Sequence, residues 1–245
     1  MIDLKDEKQK YYYIGKCLLQ EDIDFYTFKI YHPIVKEIMN INEDDYSKIL
    51  QPYVFPLNGY KGLTGEETLF DAICSNSEMF SFFILSLSYF CRLDIDKDII
   101  VKNKFDKKLN RNKIQVMVKG TLFNNRIFEE LKQIIMMVCN VKELKIKENK
   151  PISKRKQRLL ELRKQHKNED ITYKRVKLVN VYNYVVHQDN VVDYDKWMNY
   201  SIYRIYNSYN NLIQKENVRF TYDVVSHGFG GKDTNLEPYV DKIIK

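Results

Sequence analysis

The chain has 245 residues, 44% of them hydrophobic and 30% charged, with a mean hydropathy of −0.48. That suffices for one large domain or two small ones with a real core, and the charged opening MIDLKDEKQK leads us to expect no apolar secretory signal. Net charge is +7, yet eleven of the forty Lys and Arg fall between Lys142 and Lys167 against three acids, so that stretch carries +8 and the remainder sums to −1.

Residues 11–31 read as a β-hairpin, with YYYIGKCLL and FYTFKIY as aromatic, β-branched strands and QEDID as the polar turn. Pro33 suits the first turn of a short helix, PIVKEIMNI. Asn42 then caps a helix whose first turn, EDDY, carries acids where the helix dipole favours them, and Pro52 and Pro56 stop it. NGYKGLTG is a loop. Thr64 with Glu67, and Ser75 with Glu78, have capping-box spacing and predict helices over 65–74 and 76–92. The longest uncharged apolar run, Met79 to Cys91, has thirteen residues. A membrane-spanning helix needs about 20, so a buried helix is expected.

Residues 93–119 read as extended. Asp94, Asp96 and Asp98 alternate with Ile95, Lys97 and Ile99 as on the solvent face of a strand, and KKLNRN marks a second hairpin. The acids do not continue into a calcium loop, because Ile99 and Phe105 stand where its Gly and Glu belong. Asn124 caps a helix whose apolar face is Phe128, Leu131, Ile135 and Val138. After Pro151 and Ser153, KRKQRLLELRKQHK reads as a short basic helix with only Leu159, Leu160 and Leu162 as aliphatics. So narrow a stripe predicts order only when something packs on it. The C-terminal third is helical by pattern. Val176, Val179, Tyr182 and Val186 fit one helix, and Tyr194 through Leu212 a longer one. Phe220, Val224 and Val225 begin another, before Gly228, Gly230 and Gly231 punctuate the chain.

These elements define an α+β, mainly α-helical fold with an N-terminal β-hairpin element, a helical body and a helical C-terminal third. The expected organisation is an α+β region over 1–140, a basic linker or helix over 141–170 and a tyrosine-rich helical region over 171–245.

The chemistry-bearing residues give no enzyme pattern. HGFGGKDT, residues 227–234, has the outline of a phosphate loop, but Ser226 replaces its first Gly and Asp233 its hydroxyl. His32, His166, His187 and His227 lack metal-ligand spacing. Cys17, Cys74, Cys91 and Cys139 are far apart beside apolar residues and read as buried thiols rather than disulfides. No catalytic residue, metal or cofactor is expected. The candidate partner-binding residues are Lys150, Lys154, Arg155, Lys156, Arg158, Arg163 and Lys164 of the basic segment, with Tyr200 and Tyr203 as exposed aromatics near Arg204. The segment is a solvated connector, a docking element for an acidic protein surface, or a phosphate-binding element for nucleic acid. It has no interleaved aromatics, which weakens single-strand stacking.

Three stretches resemble a known group: YYYIGKCLLQEDIDFYTFKIYHPIVKEI, KRKQRLLELRKQHK, and YDKWMNYSIYRIYNSYNNLIQKENVRFTYDVVSHGFGG. Together they resemble the tail-assembly chaperones, or tail-cluster proteins, of bacteriophages infecting low-GC Gram-positive bacteria. The resemblance covers about half the chain and carries over no catalytic residue. It implies a non-enzymatic assembly factor in the bacterial host cytoplasm that binds tail proteins such as the tape measure or tube. A resident tail or connector component of the virion is the related alternative.

Overall fold

The computed structural model describes residues 4, 6–60, 67–106, 111–144, 177–188 and 194–227. It is mainly α-helical with two small antiparallel sheets, as the sequence predicts.

The first element departs from expectation: YYYIGKCLL is not a strand but most of α1 (Glu7–Leu19). The Asp6 carboxylate accepts the Lys8 amide at 2.9 Å, Glu7 lies in the first turn and Lys16 in the last, so both helix ends are electrostatically matched. The β preference of tyrosine depends on packing context and yields here. QEDID is accordingly no hairpin turn but the link to β1 (Ile23–Phe25), entered through Gln20 in the left-handed region. β2 (Phe28–Ile30) pairs with β1 across a two-residue turn, Tyr26-Thr27. Ile23, Phe25, Phe28 and Ile30 face the core while Asp24 and Lys29 face solvent.

α2 (Val35–Ile41) begins after Pro33, with the Glu37 carboxylate accepting the Ile34 amide at 3.2 Å. Asn42 caps α3 (Glu43–Val54) as predicted, accepting the Asp45 amide at 2.9 Å. Pro52 does not stop this helix; it lies inside the last turn. A 3-10 turn (Leu57–Gly59) leads on to α4 (Leu69–Ser75) and α5 (Ser77–Cys91). Their caps are Thr68, in a box with Asp71, and Asn76, rather than the expected Thr64 and Ser75. The three aspartates lie not on a strand but on a helical turn, α6 (Ile95–Asp98), capped by Asp94, which accepts the Asp96 and Lys97 amides.

β3 (Ile99–Asp106) and β4 (Arg111–Val118) form the second predicted hairpin, in register from Ile99 opposite Val118 to Asp106 opposite Arg111. Lys119 and Gly120, both at positive φ, turn the chain into β5 (Thr121–Leu122), the combination a two-residue type I′ hairpin requires. Asn124 caps α7 (Asn125–Val138) as predicted, and Phe128, Leu131, Ile135 and Val138 are completely buried.

The core is aromatic. Tyr53 of α3 stacks on Phe128 of α7 at 5.9 Å, Phe128 stacks on Phe70 of α4 at 5.5 Å, and Phe83 of α5 meets both edge-on. The buried Tyr53 hydroxyl donates to Ser86 Oγ at 2.5 Å, and Ser86 donates to the Phe83 carbonyl at 2.6 Å, so the polar tip is satisfied. All four cysteines are free and buried. Burial, with Cys139 nearby, pushes the Cys17 thiol up to about 12.

α8 (Leu178–Gln188) buries Leu178, Val181 and Val185, one residue ahead of the expected Tyr182–Val186 face. The long helix predicted from Tyr194 is broken: α9 (Tyr194–Met198) ends before Asn199–Ser201, and α10 (Ile202–Ser226) follows. α10 then runs through Phe220 without the second start expected there. Asn199 donates from its side chain to the Asp195 carbonyl at 2.9 Å, and Ser201 Oγ caps α10 by accepting the Arg204 amide at 3.3 Å. Leu178, Val181, Trp197, Ile202 and Ile205 join the core built by the N-terminal elements. No described helix is long and apolar enough to cross a membrane.

Phe128→Ala should cost about 3–5 kcal/mol by urea denaturation, because it opens a cavity among stacked rings. Asn124→Ala should cost about 1 kcal/mol through the lost cap. Phe220→Ala, at a side chain 70% exposed, should stay within about 0.5 kcal/mol.

Candidate functional site

The two expected surface tyrosines have different fates. Tyr203 is not a surface residue: it is 9% exposed, and burial near Cys17 raises its phenol above the usual range. The break at Asn199–Ser201 resets the helical phase, which turns Tyr203 inward with Ile202, Ile205 and Tyr206. Tyr200 is half-buried, with the Arg204 guanidinium 4.1 Å from its ring centre and Trp197 on another side at 6.2 Å. That cation–π contact holds Arg204 within the chain's own surface.

Lys150, Lys154, Arg155, Lys156, Arg158, Arg163 and Lys164 lie outside the described residues. The structure does place the two ends of the stretch that contains them. On the way out, Glu143 pairs with the buried Lys132 of α7 at 2.7 Å, and the Leu144 amide donates to the Val54 carbonyl at 2.8 Å. On the way back, the Leu178 amide donates to the Glu43 carboxylate at 2.5 Å. Val54 and Glu43 are the last and first residues of α3. At 1.5 Å per residue the two anchor points stand roughly 17 Å apart. The basic segment therefore leaves and rejoins the body at opposite ends of one core helix.

A second surface was hidden by the strand reading of residues 11–19. As a helix, that stretch brings Tyr11, Tyr12, Leu18 and Leu19 to one side around Gly15, where an added Cβ would meet nothing within 4 Å. All four side chains are exposed, Leu19 at 71%, whereas Cys17 is the one fully buried residue of α1. The spacing of three, four and seven between these residues was the available signal, once Asp6 and Glu7 are recognised as a helix start.

The remaining buried polar groups serve the fold. His32 binds the Glu21 carbonyl through Nε2 at 2.9 Å, which makes that nitrogen the donor and leaves Nδ1 without a partner among the described residues. Burial lowers its pKa, partly offset by the Glu21 hydrogen bond. Glu130 accepts from Tyr26 at 3.2 Å and from Arg126 at 3.3 Å, pinning the first hairpin to α7. His227 faces the Asp223 backbone carbonyl at 2.7 Å and not its carboxylate, so the two form no acid–base pair. Among the described residues, no three His, Cys, Asp or Glu are grouped to hold a metal ion.

No family model matches this chain, and no curated protein or solved structure is significantly similar to it.

His32 yields a pH prediction. Its folded pKa lies below the ordinary 6.5, so the unfolded chain binds the extra proton first. Its contribution is fully present above pH 6.5 and is lost as pH falls below that value. Unfolding free energy should therefore decline as pH falls below about 6.5, by no more than about 1.4 kcal/mol per unit from this residue. In His32→Gln the decline should be shallower; equal slopes in chemical denaturation would rule His32 out as its source.

Proposed function

We propose that this chain is a non-enzymatic bacteriophage assembly protein, a tail-assembly chaperone that holds a tail protein, tape measure or tube, through an acidic surface on that partner. The observation that carries the reading is localised charge between two fixed points: residues 142–167 hold +8, and the described residues Leu144 and Leu178, on either side of the stretch that contains most of it, bond to opposite ends of α3. Lysine-rich charge steers encounter and fixes orientation. The α1 face of Tyr11, Tyr12, Leu18 and Leu19 supplies apolar and aromatic contact of the kind that dominates interface energy. Leu159, Leu160 and Leu162, within the basic run, favour a protein over a phosphate backbone as the object of that segment.

Co-expression with the tail tube and tape-measure proteins of the same genome tests this. The chain should co-purify with one of them, and Arg155→Glu/Arg158→Glu/Arg163→Glu should reduce retention by about tenfold or more, as expected for lost steering and complementarity. Tyr12→Glu/Leu19→Glu should do the same while leaving stability within about 0.5 kcal/mol, both side chains being exposed. A chaperone is absent from purified particles. Its presence there would make it a virion component instead, and failure to retain any tail protein would sink the reading.

A further inference from the structure

Four large apolar side chains stand exposed on α1, although the helix is firmly seated. Its Cys17 is buried against the core, and the Gln20 side chain at its C-cap bonds to both Ser201 and Asn199. At 100° per residue, Lys8, Tyr11, Tyr12, Gly15, Leu18 and Leu19 fall within roughly 120° of the face opposite Cys17, with Gly15 near the middle. Tyr11 is 55% exposed, Tyr12 59%, Leu18 41% and Leu19 71%. Together they leave roughly 400 Å² of apolar surface, in the range of the largest and often functional patches on monomers. The Lys16 ammonium lies 5.4 Å from the Tyr12 ring centre and Tyr13 meets that ring edge-on at 5.3 Å, so one anchor is already held in place. Gly15 has no cause within the chain. Glycine is a poor helix former, its φ here is not positive, and an added Cβ would meet nothing within 4 Å. A glycine at the centre of an exposed apolar face permits close approach of another backbone.

We propose that a second copy of this chain docks on this face, α1 against α1 in antiparallel fashion, crossing at Gly15 about a twofold axis. The face is self-complementary, as such an interface requires. Aromatic residues lie on one side of Gly15 and aliphatic residues on the other, so a half-turn about Gly15 sets Tyr11 level with the partner's Leu19 and Tyr12 level with the partner's Leu18. Charge follows the same symmetry. Lys8, seven residues before Gly15, comes level with the partner's Glu21, six residues after it, each about 10 Å from the axis along the helix. Both are exposed, and the symmetry forms the pair twice. Antiparallel helices also set the positive end of one dipole beside the negative end of the other. An unrelated partner demands no such internal symmetry. The apolar area from both copies, with the lysine stems beside it, reaches about 1,000 Å², the low end for a specific interface. The dimer is therefore weak, with a Kd on the order of 10–100 μM. It does not rest on the tail-protein reading, but it occupies the same α1 face, so a second copy and a tail protein exclude one another there.

Sedimentation velocity of the purified full-length chain, with no tail protein present, tests this from about 1 to about 200 μM. The weight-average mass should climb from 29.5 kDa toward twice that value. Tyr12→Glu/Leu19→Glu should stay monomeric throughout. Lys8→Glu should weaken self-association about threefold or more, and Lys8→Glu/Glu21→Lys should restore it. Gly15→Leu separates lost contact from lost fold: it should raise the melting temperature, because leucine is the better helix former and has room, while weakening the dimer about tenfold or more. The four native cysteines are buried. Gly15→Cys, on the axis, should therefore form a disulfide between copies in air, since helices crossing there bring the two Cα atoms within about 7 Å. Lys10→Cys, exposed on the other side of α1, should not. A monomer at the highest concentration would overturn the proposal. So would a dimer indifferent to Tyr12→Glu/Leu19→Glu, a tighter dimer in Gly15→Leu, or no recovery on exchanging the charges. Failure to retain any tail protein would leave these masses unchanged.

Discussion

Backbone hydrogen bonds between the segment at Pro33–Val35 and the segment at Tyr200–Ile202 tie the N-terminal elements to the junction of α9 and α10. The Val35 amide donates to the Tyr200 carbonyl at 3.1 Å, the Ile202 amide donates to the Pro33 carbonyl at 2.9 Å, and Ile34 and Ser201 form an antiparallel bridge. Gln20, at the end of α1, accepts the Ser201 amide through its side chain at 2.6 Å and donates to the Asn199 carbonyl. Proline lacks an amide, so only its carbonyl is available there, and Ile202 uses it. These bonds require an extended stretch at Asn199–Ser201, which no continuous helix can supply. From the break follow the phase of α10, the burial of Tyr203 and the position of Tyr200 under Arg204.

The same logic gives α3 its part in presentation of the basic segment. Tyr53, in its last turn, lies in the stacked aromatic core with Phe128, Phe70 and Phe83. Close-packed aromatic interiors resist displacement. Both anchor points of the basic segment are on this helix, at Glu43 and Val54. Charge elsewhere makes the arrangement more pointed. Outside residues 102–113 and 142–167 the chain has 23 basic and 29 acidic residues. A net-acidic body attracts its own basic elements, so an acidic partner must compete with that body, and it does so less steeply as salt screens both.

What was legible in the sequence was local. Asn42 and Asn124 cap the helices they were expected to cap, because an N-cap needs only its own side chain and the next turn. The α7 face could be read from spacing alone, and the β3–β4 hairpin from its alternation. α1 was misread because three consecutive tyrosines favour a strand by composition, while the cap at Asp6 that decides otherwise is a single side chain. Tyr203 was misread because the break before it has a cause at Pro33–Val35, distant in sequence. The anchoring of the basic segment was out of reach for the same reason: Glu43 and Leu178 meet only in the folded chain. Residues whose positions depend on long-range backbone pairing carry no periodic signal.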